Sequence, residues 1–356
     1  MKGPIDSLRA LARRLGRGLP PVGQTPHDVV FAENKWRLLR FRAPGVTPSF
    51  RTPILLVPSL INRWYILDLQ PGRSLIEWLV ARGHDVYCID WGTPGAEDRF
   101  LTWDDVCDRY LGRAVRQVAR RSPDGVAHVL GYCLGGTLAT TYTAARPDHV
   151  ASLVALAAPI DFARAGIMAT WTRTPTFDVG AIVEAFGNVP WPLMQASFQM
   201  LKPTLTASKL VALLDRAWDD EFLDGFLATE RWGNDNVSFP GACYRDYIDR
   251  LYRGNELCAG TMTMSGRPAR LADIDCPTLV VSFGADHIVP DACATALLDH
   301  IASPDRDLLR LPGGHVGAVV SRRAADRLWP MLSQWWAARD TDEERGIAHD
   351  PPSGDR

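Results

Sequence analysis

Short runs of consecutive apolar residues recur along this chain. Most are followed by a longer stretch in which apolar residues return every three or four positions. The runs at residues 53–58, 85–91, 126–130, 150–158 and 277–283 are continuous rather than alternating. That is the pattern of strands covered on both faces within a parallel sheet. Residues 36–42 alternate through Trp36, Leu38, Leu39 and Phe41, as an outer strand would, and residues 307–311 read as the last strand. Helical spacing is expected over 73–81, closed by Gly83, and over 102–120, 137–145, 291–300 and 322–338. In the second of these, Thr102 caps, Asp105 sits in the first turn, and Val106, Tyr110, Leu111, Val115 and Val118 share one face. Pro330 must kink the last helix or start a second segment. Strand and helix in alternation predict an α/β fold with a mainly parallel, doubly wound sheet.

The rhythm is lost between residues 161 and 272. Aromatic residues from Trp171 to Tyr244 are spread through that stretch and prolines divide it. A mostly helical cap insertion over the catalytic end of the sheet is expected there, its aromatics serving chiefly its own packing. The expected organisation is a lead-in at 1–34, irregular or helical, and a core of 35–160 and 273–338 interrupted by the cap at 161–272. The charged, Pro/Gly-rich residues 339–356 are expected to form a disordered tail. Residues 7–15 are basic and amphipathic and read as a solvated terminal helix, with contact to a lipid or polymer surface as the alternative.

Composition narrows the function classes. The 356 residues are 46% hydrophobic and 22% charged, ordinary for a globular protein, and the formal net charge of −2 gives no basic field for nucleic acid. No apolar run is long enough to cross a bilayer, and the N-terminus lacks a signal-peptide core. The seven cysteines are scattered and lack CxxC spacing, which argues against a disulfide framework or zinc site and for a reducing cytoplasm.

One cysteine stands apart. Cys133 lies between Gly131 and Gly135, after the strand-like run and before the helix, in the pattern G-x-C-x-G. This is the nucleophile elbow of α/β-hydrolases with cysteine in place of serine. The turn sets the sulfur near a helix N-terminus, where the dipole favours an anion. Two further strand ends carry Asp286 and His315, giving the order nucleophile, acid, histidine. His315 is expected to take the thiol proton, and Asp286 to orient the imidazole and stabilise its charged form. The backbone N–H of Leu134 and one from the loop at Ile61 and Asn62 are the expected oxyanion donors. His287 is a candidate auxiliary residue that lines the site, bonds Asp286 or simply sits in the turn; His128 reads as a packed histidine. No metal-ligand spacing and no phosphate-cradling loop is present, and no cofactor is called for. A cysteine nucleophile suits an acyl-thioester donor, but the chemistry by itself leaves transfer and hydrolysis both open.

These residues resemble the polyhydroxyalkanoate synthases, in particular the short two-component type, class III or class IV, of the α/β-hydrolase superfamily. The likeness runs over roughly residues 35–320. It includes PILLVPSLINR at 53–63, DVYCIDWG at 85–92, LTWDD at 101–105, GYCLGG at 131–136, GADHIVP at 284–290 and GGHVG at 313–317. Trp64 departs from it, standing where the family usually has proline. The resemblance implies an acyltransferase of the cytoplasm, at the surface of polyester granules, that moves 3-hydroxyacyl groups from CoA to a growing polyester. Cys133 would carry the acyl group as a thioester, and His315 would activate the 3-hydroxyl of another unit, with Asp286 near both. It also implies an accessory synthase subunit and a homo- or hetero-oligomer. The alternative is a cysteine hydrolase; dienelactone hydrolases share GYCLGG but are shorter and lack a large cap.

Overall fold

A computed structural model describes residues 4–16 and 18–340. Among the described residues, one sheet holds eight strands. They are β1 (His27–Glu33), β2 (Trp36–Phe41), β3 (Ile54–Val57), β4 (Val86–Asp90), β5 (Ala127–Tyr132), β6 (Val150–Leu156), β7 (Thr278–Phe283) and β8 (Arg306–Leu311). Side by side they run β1-β2-β4-β3-β5-β6-β7-β8. β2 is antiparallel to both β1 and β4, and every other pair is parallel.

Successive strand residues point to opposite faces, so each continuous apolar run feeds two layers at once. Leu55, Val57, Val129 and Val280 join one apolar cluster, whereas Ile54, Leu56, Leu130 and Val281 join the other. All of β3 is fully buried; each such side chain contributes about 1.5–3 kcal/mol, an upper figure because the unfolded chain is itself partly collapsed. The helices begin with α1 (Pro4–Leu15), α2 (Leu75–Val80), α3 (Gly112–Ala119) and α4 (Leu134–Ala145). Val115 and Val118 of α3 and Leu138 and Tyr142 of α4 cover the first face, while α2 covers the second together with the C-terminal helix.

Between β6 and β7 the chain leaves the sheet. It forms α5 (Gly166–Thr172), α6 (Val179–Phe186), α7 (Trp191–Met200), α8 (Leu205–Arg216), α9 (Asp220–Asn234), α10 (Gly241–Asp246) and α11 (Glu256–Ala259). The end of α9 is tied to the loop after β3. Trp232 Nε1 donates to the Arg63 carbonyl at 2.9 Å, and Asp235 accepts from Tyr65 Oη at 2.7 Å and from Arg63 Nε at 3.0 Å. After β7 come α12 (Asp291–Thr295), α13 (Leu297–His300), α14 (Gly317–Val320), α15 (Arg322–Asp326) and α16 (Leu328–Ala337).

Several expectations are corrected. The lead-in contains β1, an edge strand whose residues are mostly exposed or half-buried, so no buried alternation marks it in the sequence. The terminal helix is not solvated all round: α1 packs on α8, buries Ser7 and Ala10, and pairs Arg14 with Asp224 of α9. The Thr102 cap forms, Asp105 N donating to Thr102 Oγ1 at 3.1 Å, but residues Asp105–Leu111 make a wider π-type turn before α3. The helix over 291–300 is two segments, α12 and α13. The last helix, by contrast, does divide into two segments, one of the two expected outcomes, breaking at Arg327, with φ −127° and ψ −65°. Pro330 thus falls in the first turn of α16, where its missing N–H has no intrahelical partner to lose. Arg339 and Asp340 are anchored; Asp340 accepts the amides of Arg51 and Thr52 at 2.8 and 2.9 Å. The remainder of the expected tail, 341–356, lies outside the described residues.

Candidate active site

The elbow is built from close backbone contacts. Strand β5 runs straight into α4, and Cys133 is the single residue between them, at φ 55° and ψ −130°. Such a backbone is strained for any residue with a Cβ and persists only when its surroundings enforce it. They do so through glycines. A Cβ on Gly131 would lie 2.4 Å from Gly136 Cα, one on Gly135 2.1 Å from the Val57 carbonyl oxygen, and one on Gly136 2.3 Å from Ala158 Cβ. The Cys133 amide donates to Leu156 O of β6 at 3.0 Å, and its carbonyl accepts from Gly136 N at 2.8 Å. The sulfur is thereby held at the carboxyl end of the parallel strands, above the N-terminus of α4.

Asp286 follows β7 and His315 follows β8. His315 Nδ1 lies 2.7 Å from Asp286 Oδ2. The other carboxylate oxygen accepts the amides of Ile288 and Val289 at 2.8 and 2.9 Å, so the loop fixes the acid before the histidine meets it. With Nδ1 as donor, the opposite ring nitrogen is left for Cys133. Tyr132 stacks on the imidazole with centroids 5.3 Å apart, and its hydroxyl donates to the His315 carbonyl at 3.1 Å. Burial would lower the His315 pKa. Attraction to and a hydrogen bond with the Cys133 sulfur, together with the Asp286 carboxylate, outweigh it, and the pKa is pushed up to about 10. Burial pushes the thiols of Cys258, Cys276 and Cys293 up to about 12, and those of Cys88, Cys107 and Cys243 well above the ordinary value. Those six behave as packed side chains.

Cys133 and His315 open into a cavity of about 400 Å³ under the helices between β6 and β7. Asn62 and His287 line it too. His287 Nε2 lies 3.1 Å from Lys202 Nζ, so it faces the cavity. Leu134 is the first residue of α4, and Ile61, 6% exposed, directly precedes the cavity-lining Asn62. The Asn62 amide makes a long 3.4 Å bond to Ser59 O within its own turn. His128 is packed inside β5, its Nδ1 2.8 Å from Ser152 Oγ. Sequence reasoning missed the opposite wall: Gln195, Lys202, Glu230, Trp232 and Asn236. Asn236 links that wall to the core, accepting from Asn62 Nδ2 at 2.5 Å and donating to Gln195 Oε1 at 2.8 Å. No local motif marks these residues. Among the described residues no group of His, Cys, Asp and Glu could hold a metal ion.

The α/β hydrolase fold family matches residues 52–320, and the family described as poly-beta-hydroxybutyrate polymerase (PhaC) N-terminus matches residues 14–79. The poly(3-hydroxyalkanoate) polymerase subunit PhaC of Allochromatium vinosum is 34% identical over 335 residues, covering 91% of this chain and 94% of that one. The chain belongs to the poly(3-hydroxyalkanoate) polymerase family. It sits with the short, class III-type members, as a catalytic subunit of the acyltransferase class. The polymerase subunit PhaC of Haloferax mediterranei is 36% identical over 327 residues, 90% of this chain and 66% of that longer relative. That of a Synechocystis strain is 35% identical, over 89% and 86%. Family membership sets aside the cysteine-hydrolase alternative. Solved structures show the shared fold alone. A monoacylglycerol lipase of Paleococcus ferrophilus has a TM-score of 0.53 at 18% identity, over 86% of this chain and all of that one. A Pseudomonas aeruginosa hydrolase has 0.52 at 18%, over 89% and 99%.

Proposed function

We propose that this polymerase works through a covalent thioester on Cys133. The sulfur, attacking as thiolate, adds to the thioester carbonyl of a 3-hydroxyacyl-CoA. A new C–S bond forms at Cys133, the bond to the CoA sulfur breaks, and His315 protonates the departing CoA thiolate. A histidine that still holds its proton at neutral pH is ready for that role. His315 then takes the proton from the 3-hydroxyl of a second unit. That oxygen attacks the Cys133 thioester, an ester bond forms, and the cysteine sulfur leaves as thiolate. Asp286 holds the imidazole in the required tautomer throughout. The Leu134 amide at the start of α4 and an amide of the Ile61–Asn62 loop stabilise the oxyanion; the long intraloop bond of Asn62 favours Ile61 as the second donor.

The observation that carries this reading is His315, set against the Asp286 carboxylate on one side and the Cys133 sulfur on the other, at a glycine-locked elbow. The segment 161–272 acts as a cap that shapes access for the donor and exit for the polyester. An accessory synthase subunit, a homo- or hetero-oligomer, and a cytoplasmic location at the granule surface belong to the same proposal. No helix among the described residues is long and apolar enough to cross a membrane, so granule contact would be peripheral. The test supplies 3-hydroxybutyryl-CoA, with any accessory subunit. Wild-type protein releases CoA, makes insoluble polymer and gains an acyl mass adduct on the peptide holding Cys133. An adduct mapped elsewhere, or free 3-hydroxybutyrate in place of polymer, overturns the reading.

A further inference from the structure

Three side-chain amides join the loop after β3 to the opposite wall of the catalytic cavity. Asn62 of that loop, Asn236 just beyond α9 and Gln195 of α7 all line the space that holds Cys133. One backbone group decides how all three are turned. The Gly233 carbonyl can only accept, and Asn236 Nδ2 donates to it at 2.8 Å. The second hydrogen of that NH2 group goes to Gln195 Oε1 at 2.8 Å. Asn236 Oδ1 is then left for Asn62, and it receives Asn62 Nδ2 at 2.5 Å. Turning the Asn62 amide over would set two oxygens against each other. The neighbouring backbone is held by the same segment, Val237 N donating to Ile61 O at 3.2 Å.

The consequence is a hydrogen-bond acceptor offered to the cavity. Among the described residues nothing donates to Asn62 Oδ1, and the atom is accessible. Other acceptors in the cavity already have partners. His287 Nε2 faces Lys202 Nζ at 3.1 Å, Glu230 pairs with Lys209 at 2.6 Å, and Gln195 Oε1 takes Asn236. Asn62 also directly follows Ile61, the proposed second oxyanion donor. A 3-hydroxyacyl group carries its hydroxyl two carbons from the carbonyl that enters the oxyanion hole. We propose that Asn62 Oδ1 accepts the hydrogen bond of the free 3-hydroxyl on the unit whose carbonyl Cys133 attacks, and that Asn236 is the positioning residue that keeps this oxygen forward. This rests on the reading of 3-hydroxyacyl-CoA as donor. Asn62 thereby selects a 3-hydroxyacyl thioester over a plain acyl thioester, a choice that an apolar pocket makes poorly. The contact is lost once the hydroxyl has become an ester, because an ester oxygen has no hydrogen to donate. A unit already built into the polyester is therefore held less tightly than an incoming one.

Single-turnover release of CoA from 3-hydroxybutyryl-CoA and from butyryl-CoA, by the full chain with any accessory subunit, tests the assignment. Butyryl-CoA can load Cys133 but offers no hydroxyl. Wild-type protein should prefer 3-hydroxybutyryl-CoA. Asn62→Ala should cut that preference about five- to tenfold, and Asn236→Ala about two- to threefold, because the freed Asn62 amide then turns both ways. Damage to the oxyanion loop or general loosening would slow both donors alike, so an unchanged ratio in Asn62→Ala overturns the proposal. An unchanged ratio in Asn236→Ala overturns the positioning role. Calorimetry on Cys133→Ala protein makes the same comparison without turnover. There the affinity ratio of 3-hydroxybutyryl-CoA to butyryl-CoA should fall when Asn62→Ala is added, and an equal affinity for both donors before it is added overturns the proposal. If the wild-type enzyme releases no CoA from 3-hydroxybutyryl-CoA, the donor reading falls, and this binding ratio still decides whether Asn62 recognises the hydroxyl.

Discussion

The two walls of the catalytic cavity are made differently. The floor, at Cys133, is over-determined: β5 and β6 are almost wholly buried, three glycines sit where any Cβ would collide, and a strained residue is held between a strand and a helix. The roof is loose. No residue of α8 is fully buried among those described, and Trp191, Leu193, Met200, Leu210, Val211 and Trp218 are exposed there. Around α8 and the start of α9 the apolar cluster is small, centred on Ala217, Leu223 and Leu227, whereas Met194, Trp232 and Phe239 join the main core. Polar links at Asp235 and Asn236 join the roof to the core. Chemistry that needs fixed distances is placed on the part that cannot move. On the proposed function, passage of a bulky donor and a lengthening product would fall to the part that can adjust at low energetic cost.

The contrast is broken most sharply at Cys133. Cys133→Ala should lower CoA release from 3-hydroxybutyryl-CoA by about 10⁴-fold or more and leave the circular dichroism spectrum intact. Cys133→Gly should be equally inactive yet about 1 kcal/mol more stable than Cys133→Ala, because both lack the sulfur and only glycine relieves the strained φ; equal or lower stability would mean that the elbow is not strained.

Asp286→Asn should cost about 10²–10⁴-fold in kcat, because the imidazole loses its orienting charge. It also tests the linkage between site and stability. The His315 pKa stands at about 10 in the folded protein against an ordinary 6.5, so the folded state holds this proton more tightly than the unfolded chain. The resulting stabilisation is complete below the unfolded value and is lost as pH rises through the folded one. Melting temperature should therefore fall from about pH 6.5 to about pH 10, a slope that Asp286→Asn should flatten.

Gly135→Ala tests the floor as packing rather than chemistry. Its Cβ would meet two backbone carbonyl oxygens, Val57 at 2.1 Å and Pro58 at 2.5 Å. A loss of about 3 kcal/mol in chemical denaturation is expected, and a near-neutral result would show that the floor can yield. Asp235→Asn probes the roof. Asp235 itself is 45% exposed, and the buried Tyr65 hydroxyl can still donate to an asparagine oxygen, so global stability should hardly change. KM should rise about two- to fivefold, with faster proteolysis within 161–272. A collapse of kcat instead would make the roof part of the fixed machinery.

The parts readable in the chain were those whose cause is local. The continuous apolar runs marked β3 to β7 because a strand buried on both faces has no polar side to show. Gly131, Cys133 and Gly135 marked the elbow because the turn itself excludes a Cβ. Asp286 and His315 were found through their order and their place after strands. β1 escaped notice because an edge strand buries little, and the break at Arg327 was displaced from the proline that drew attention to it.

Order along the chain, and the bends and periodicities that contiguous residues impose, were enough to specify the sheet, the elbow at Cys133 and the place of Asp286 and His315 after two further strands. Only the tertiary structure decided which side chains roof the cavity, that Asn62 meets Asn236, and that Arg216 faces Gly314 across a cleft. Those pairings join residues far apart in sequence. Their free energy comes from surfaces that exist only once the core has folded, and no local pattern records it.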